Sequence, residues 1–130
     1  MTQLPTPEDK TEQKPTSDFL RGIAEFNSRE FFACHETLED VWREQTAAER
    51  EFTQGVIQAA VAYYHLERSN RLGAIKLFHR ALPRLQKFAP VCFTVDVPPL
   101  AEAVAKTLAA LEGDAISEAV PGPPTIKFTT

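Results

Sequence analysis

The sequence predicts an all-α protein, a single-domain antiparallel bundle of about five helices. Apolar residues recur at spacings of three and four in five successive segments, the period of an amphipathic helix. No segment alternates polar and apolar residues in a way that finds a partner strand. Short connections between the segments favour antiparallel neighbours. A chain of 130 residues is long enough to form one domain with its own core.

We divide the chain into three parts by composition. Residues 1–15 are polar and interrupted by prolines, so we expect a disordered N-terminal tail. Residues 16–120 form the helical domain. Residues 121–130 form an extended C-terminal segment, because consecutive prolines are incompatible with a helix. Within that segment Ile126 and Phe128 are apolar enough to dock on the domain.

Two amphipathic helices open the domain. The first helix is capped by Thr16, Ser17 or Asp18 and ends near Asn27, with a short turn after it. The second helix covers about residues 29–44. Four large apolar residues define the arc that we expect to face the core: Phe31, Phe32, Leu38 and Trp42.

The central helix, about residues 51–68, is apolar around nearly its whole circumference, which predicts a buried position. One polar stripe interrupts it at spacings of three and four residues: Glu51, Gln54, Gln58, Ala62 and His65. The stripe has no lysine or arginine, the residues that usually mark a solvent-exposed face. We therefore expect it to face other polar groups inside the protein, where it must find partners.

The remaining segments complete the bundle. Asn70 caps a fourth helix, which Pro83 should kink. The segment 89–99 is predicted to be a loop, and a last helix starts at Pro98 or Pro99 and ends at Gly113, unless the following six residues extend it. The central and fourth helices together resemble a tetratricopeptide helical hairpin, although a repeat array would need several copies.

The second helix also carries polar residues within its apolar arc. His35 lies in the middle of that arc, and Glu39 follows one turn later. Because helices joined by a short loop pack antiparallel, this polar pair and the stripe of the central helix should face each other. The predicted site is a buried polar cluster: His35, Glu36, Glu39, Trp42, Gln54, Gln58 and His65.

These segments resemble a known family. The pattern F(Y/F)xxHExLExxW, then QGxIQxAxAxxH, then NxxGAxxL is typical of the domain-of-unknown-function family DUF309. The chain matches it over about residues 26–82, and PPTIKF near the C-terminus resembles the closing segment of the family. The matching residues are Phe31, Phe32, His35, Glu36, Leu38, Glu39, Trp42, Gln54, Gly55, Ile57, Gln58, Ala60, His65, Asn70, Gly73, Ala74 and Leu77. The resemblance implies an all-α fold and no particular function.

Three hypotheses remain open for the cluster. It is a satisfied polar network in a structural or binding module, the interpretation we favour. Alternatively, His35, Glu39 and His65, helped by Glu36, bind a divalent metal in a hydrolase or oxidoreductase. The third hypothesis is a groove beside Trp42 and the tyrosines that binds a peptide or small ligand. The sequence leaves the function unknown and favours a protein that is not an enzyme.

Charge and hydropathy restrict the partners further. A net charge of −4 argues against non-specific nucleic-acid binding, which needs a basic face. No apolar run approaches the roughly 20 residues of a membrane helix. The N-terminus has no basic start followed by an apolar core, so we expect a cytoplasmic protein. Cys34 and Cys92 lack metal-binding spacing and are expected to be reduced thiols. A homo-oligomer or a protein partner stays open.

Overall fold

The computed structural model describes residues 14–113 and 120–129. Within them lie five helices and one two-stranded hairpin, arranged as an all-α, single-domain bundle, which confirms the predicted fold class. The elements are α1 (Ser17–Asn27), α2 (Phe31–Glu44), α3 (Ala47–Glu67), α4 (Arg71–Lys87), β1 (Val91–Cys92), β2 (Val95–Asp96) and α5 (Val97–Glu112). Most of the predicted N-terminal tail and the predicted extension of the last helix lie outside the described residues.

The connection between α1 and α2 is a tight turn. The Thr16 hydroxyl accepts a hydrogen bond from the Phe19 amide and starts α1. After α1, Arg29 adopts a φ of 65°, so α2 begins at Phe31, later than predicted. The two helices then approach closely, because a Cβ on Gly22 would lie only 2.7 Å from Leu38 Cγ.

Helix α3 is the centre of the bundle, and its Tyr63 joins the other helices. The Tyr63 ring lies 6.0 Å from the ring of Phe26 on α1 and 5.7 Å from that of Phe31 on α2. It lies 4.8 Å from Phe78 on α4. Its hydroxyl is 3.5 Å from the hydroxyl of Thr107 on α5. One side chain therefore contacts all four surrounding helices.

Helices α3 and α4 form an antiparallel hairpin, and α3 begins earlier than predicted. The backbone amide of Thr46 donates to Glu49 in a capping box, which lets α3 start at Ala47. Lys87 at the end of α4 pairs with Glu51 at the start of α3, at 2.9 Å. The Asn70 side chain accepts from the Gly73 amide and caps α4, as predicted, and the helix continues through Pro83.

The segment after α4 contains a short hairpin that the sequence did not predict. Strands β1 and β2 pair antiparallel over two residues each, too few to give an alternating pattern. Val95 also forms a bridge with Phe128, so residues 120–129 add an extended strap beside the hairpin. We call residues 120–129 the C-terminal strap. Ile126 of the strap is buried in the core.

No helix in the two described ranges is both long and apolar enough to cross a membrane.

The core contains two free cysteines, Cys34 and Cys92. Burial is the main cause that raises the pKa of each thiol to about 12, and the nearby carboxylates of Glu25 and Glu49, respectively, raise it further. Burial also raises the pKa of Tyr63 to about 12. All three groups therefore stay protonated in the folded protein at a pH where the unfolded chain ionises.

We expect the free energy of unfolding to fall as pH rises from 9 towards 12. Above pH 9 the unfolded thiols lose protons that the folded thiols keep, so the unfolded state gains stability. Each thiol should remove on the order of 2 kcal/mol by about pH 11. Urea denaturation across this range measures the slope. A Cys34→Ala/Cys92→Ala variant should lose much less stability, and equal slopes for both proteins would contradict the prediction.

Candidate functional site

The face that α2 turns to the core differs from the predicted arc. The buried residues are Phe31, Cys34, Thr37, Leu38 and Val41. Phe31 and Leu38 of the predicted arc are buried, but the face is rotated by roughly a quarter of a turn, so that Cys34, Thr37 and Val41 complete it. Phe32 and Trp42 therefore lie at the edge of α2, and Phe32 is 53% exposed.

The rotation brings the His35–Glu39 pair to the surface. His35 Nε2 lies 2.9 Å from Glu39 Oε2, and the two side chains are 32% and 39% exposed. Arg43 holds the other oxygen of Glu39 at 3.1 Å and also pairs with Asp40. The expectation that these residues are buried is thus corrected. Ion pairs exposed to this degree contribute little stability, at most about 1 kcal/mol.

Trp42 and Arg50 form a second contact at the edge of the α2–α3 connection. The Arg50 guanidinium carbon lies 4.0 Å from the centroid of the indole ring, a cation–π contact. Arg50 Nε donates to the carbonyl oxygen of Trp42 at 2.9 Å. This bond uses one nitrogen of the guanidinium group.

The two glutamines of the central helix have different environments. Gln54 is half-buried, whereas Gln58 is buried and its Oε1 accepts a hydrogen bond from Arg84 at 3.3 Å. Arg84 also donates to the carbonyl oxygen of Arg80, one turn earlier on α4. Gln58 therefore orients a guanidinium group that belongs to the neighbouring helix.

These contacts surround an open groove of about 780 Å³ between α2, α3 and α4, which we call the Trp42 groove. Its lining combines an apolar floor with acidic, basic and amide groups. The lining residues are His35, Glu39, Trp42, Ala47, Arg50, Glu51, Gln54, Ile57 and Arg84. The structure thus brings together His35, Glu39, Trp42 and Gln54 of the predicted site, and Gln58 adjoins them through Arg84.

His65 and Glu36 do not line this groove. His65 lies near the end of α3, where its Nδ1 is 3.2 Å from the side-chain nitrogen of Asn70. Glu36 is exposed on α2. Across residues 14–113 and 120–129, no group of three or more His, Cys, Asp or Glu side chains is placed to hold a metal ion. The predicted ligands His35, Glu39 and His65 are therefore not assembled as a set.

Part of the chain, including most of the groove residues, matches a known family model. Residues 19–77 match the family model described as "Domain of unknown function (DUF309)". Over these residues the chain resembles that family. The resemblance predicted from the sequence is confirmed. Eight of the nine groove residues lie inside the matched segment, and Arg84 lies beyond it.

A bacterial protein is similar to part of the chain. The chain is 41% identical over 70 residues to the "Uncharacterized protein YpuF" of Bacillus subtilis (strain 168). The alignment covers 52% of this chain and 40% of that relative, so the chain matches less than half of the relative's length. The family description and the relative's name assign no activity.

The sequence analysis missed two arginines that line the groove, Arg50 and Arg84. Arg50 lies before the predicted start of the central helix, and Arg84 follows Pro83 in the fourth helix. Neither lies on the polar stripe from which the site was predicted. The composition of α4 could have drawn attention to Arg84, because this helix has five Lys or Arg residues and no Asp or Glu.

Proposed function

We propose that this protein is a binding module, without catalytic activity of its own, whose Trp42 groove holds a short segment of another polypeptide. One observation carries the proposal. Four predicted site residues from two helices line an open groove around a half-buried tryptophan. Tryptophan and arginine dominate the energetics of protein interfaces, and Arg50 stacks on Trp42 in this groove.

The exposure of the polar groups supports binding over a purely structural role. A stabilising polar network would be enclosed and fully bonded, whereas His35 and Glu39 are each about one third exposed. The metal hypothesis has less support, because His65 does not line the groove with His35 and Glu39. It lies near the end of α3 and bonds to Asn70. The thiol of Cys34 is buried in the core with a raised pKa, so it is a poor nucleophile.

The groove offers the chemistry that a peptide needs. Ile57 and the indole of Trp42 provide apolar surface for one side chain of the ligand. The Gln54 amide has both a donor and an acceptor, which suits the backbone of an extended peptide. A carbonyl or carboxylate can accept from Arg50 or Arg84. Helical hairpins commonly bind peptides through such grooves.

We infer a reducing, cytoplasmic location for this module. Cys34 and Cys92 are free and lie in the core. Buried thiols that stay protonated are compatible with a compartment in which disulfides do not form.

The proposal is tested by selecting peptides from an unbiased displayed library against the wild-type protein. Trp42 is the only tryptophan in the chain, so its emission reports directly on the groove. We expect selected Trp-free peptides to change this emission with saturation and to bind with micromolar affinity. Calorimetry should give the same affinity, because both methods follow one binding event.

The matched variants are His35→Ala/Gln54→Ala in the groove and Arg21→Ala outside it, on the exposed face of α1. The groove variant should stay folded by circular dichroism and lose about tenfold in affinity, and Arg21→Ala should bind normally. Equal affinity for wild type and the groove variant, or a Trp42 emission that no selected peptide changes, would rule out this function.

A further inference from the structure

We propose that the segment bound in the Trp42 groove is acidic and lies along the basic face of α4. This inference rests on the proposed binding function and specifies its ligand. It comes from the charges on α4 and around the groove, their lack of carboxylate partners, and their spacing.

Helix α4 is strongly basic within an acidic protein. The 17 residues of α4 contain five Lys or Arg residues and no Asp or Glu, whereas the whole chain has a net charge of −4. Lys76, Arg80 and Arg84 follow one another at four-residue spacing and therefore lie along one side of the helix. Arg84 lines the Trp42 groove, so this basic face continues directly from the groove wall.

The basic groups on this face are not neutralised by the protein itself. Within the described ranges, no carboxylate pairs with Lys76, Arg80, Arg84 or Arg50. Lys87, at the end of the helix, pairs with Glu51. Glu39, an acidic residue of the groove, already pairs with both His35 and Arg43. The uncompensated charge on the α4 side of the groove is therefore positive.

The spacing of these cations fits a polypeptide. Residues four apart on α4 are separated by about 6 Å along the helix axis. Alternate side chains of an extended peptide point to the same side and lie about 7 Å apart. Glutamates at alternate positions of a peptide can therefore pair with Arg84, Arg80 and Lys76 in turn, while an apolar neighbour reaches Trp42 and Ile57.

The opposite edge of the groove favours a short acidic peptide over nucleic acid. Exposed carboxylates follow one another along α2 at Glu36, Asp40 and Glu44. A duplex carries phosphates on all sides and is wide enough to meet both edges, so these carboxylates would repel it. A single extended strand of peptide is narrower than a duplex and can lie along α4 alone.

The experiment compares two Trp-free peptides, one with alternating glutamates around a central leucine and one with glutamine at the same positions. Binding is followed by Trp42 emission and calorimetry at low and physiological salt. We expect the glutamate peptide to bind at least about tenfold more tightly, with an affinity that falls as salt rises. A Lys76→Glu/Arg80→Glu variant should lose this preference and favour a lysine-substituted peptide. Lys106→Glu/Arg21→Glu, with the same change in net charge, should behave as wild type.

The outcomes separate this inference from the proposed function. In one outcome, library peptides bind in the groove while the glutamate peptide binds no more tightly than the glutamine peptide. That result would overturn the inference of an acidic ligand but would be consistent with the proposed binding function. If no library peptide binds at all, both proposals fall. Tighter binding of a DNA duplex than of the glutamate peptide, or a salt-sensitive dimer that blocks the groove, would replace the acidic peptide with another partner.

Discussion

Tyr63→Ala should destabilise the protein by about 4 kcal/mol, the largest effect that we expect from a single substitution. The ring is 1% exposed and contacts Phe26, Phe31 and Phe78, three aromatic residues on three different helices. Truncation leaves a cavity where these rings meet, and the backbone of α3 cannot move to fill it. Small domains are stable by about 5–15 kcal/mol, so the variant should unfold at much lower urea concentration.

Tyr63→Phe is the matched control, because it keeps the ring and removes the hydroxyl. That hydroxyl is 3.5 Å from Thr107, whose own hydroxyl already donates to the Ala103 carbonyl at 2.9 Å. We expect a loss of less than about 1 kcal/mol. Urea denaturation of both variants tests this difference. A cost for Tyr63→Phe close to that of Tyr63→Ala would show that the hydroxyl, and not the ring, stabilises the core.

The helices could be predicted because their signals are local. Asn70 was predicted as the cap of α4, and for α1 the structure selects Thr16 from the three predicted candidates, Thr16, Ser17 and Asp18. The hairpin of β1 and β2 could not be predicted in this way. Each strand has only two residues. The hydrogen bonds between the hairpin and the strap join positions that are more than 30 residues apart.

The candidate site was predicted in part. The spacing of His35 and Glu39 indicated that their side chains pair, and they do, at 2.9 Å. Their exposure depends on how α2 rotates against its neighbours, and in the folded protein Cys34 and Val41 face the core. The sequence pattern weighted the large residues Phe32 and Trp42 instead. Arg84 comes from a third helix, so only the folded chain brings it to the groove.

Two side chains at the end of α1, Asn27 and Arg29, bind the C-terminal strap. Asn27 donates from Nδ2 to the Ile126 carbonyl at 3.0 Å and accepts from the Ile126 amide at 2.8 Å. Arg29 donates to the carbonyls of Pro123 and Pro124. All four bonds go to the backbone of the strap, so they hold it in place whatever its side chains are. This contact joins residues about 100 positions apart, so the sequence predicted that Ile126 docks but not that Asn27 binds it.

Asn27→Asp should release the strap and lower the free energy of unfolding by about 1–3 kcal/mol. The aspartate still accepts from the Ile126 amide but places a second oxygen against the Ile126 carbonyl, where a donor is required. Hydrogen exchange measures the release at the Asp96 and Thr129 amides, which bond across the strap contact.

Asn70→Asp is the matched control for this substitution. Its retained oxygen still accepts from the Gly73 amide at the start of α4, where a negative charge is favourable. We expect that variant to keep or gain stability, with protection of the Asp96 amide unchanged. If both aspartate variants exchanged alike, the strap would be held by the burial of Ile126 and by its pairing with β2. The hydrogen bonds of Asn27 would then not be what holds the strap, because Asn27→Asp removes the Nδ2 donor to the Ile126 carbonyl.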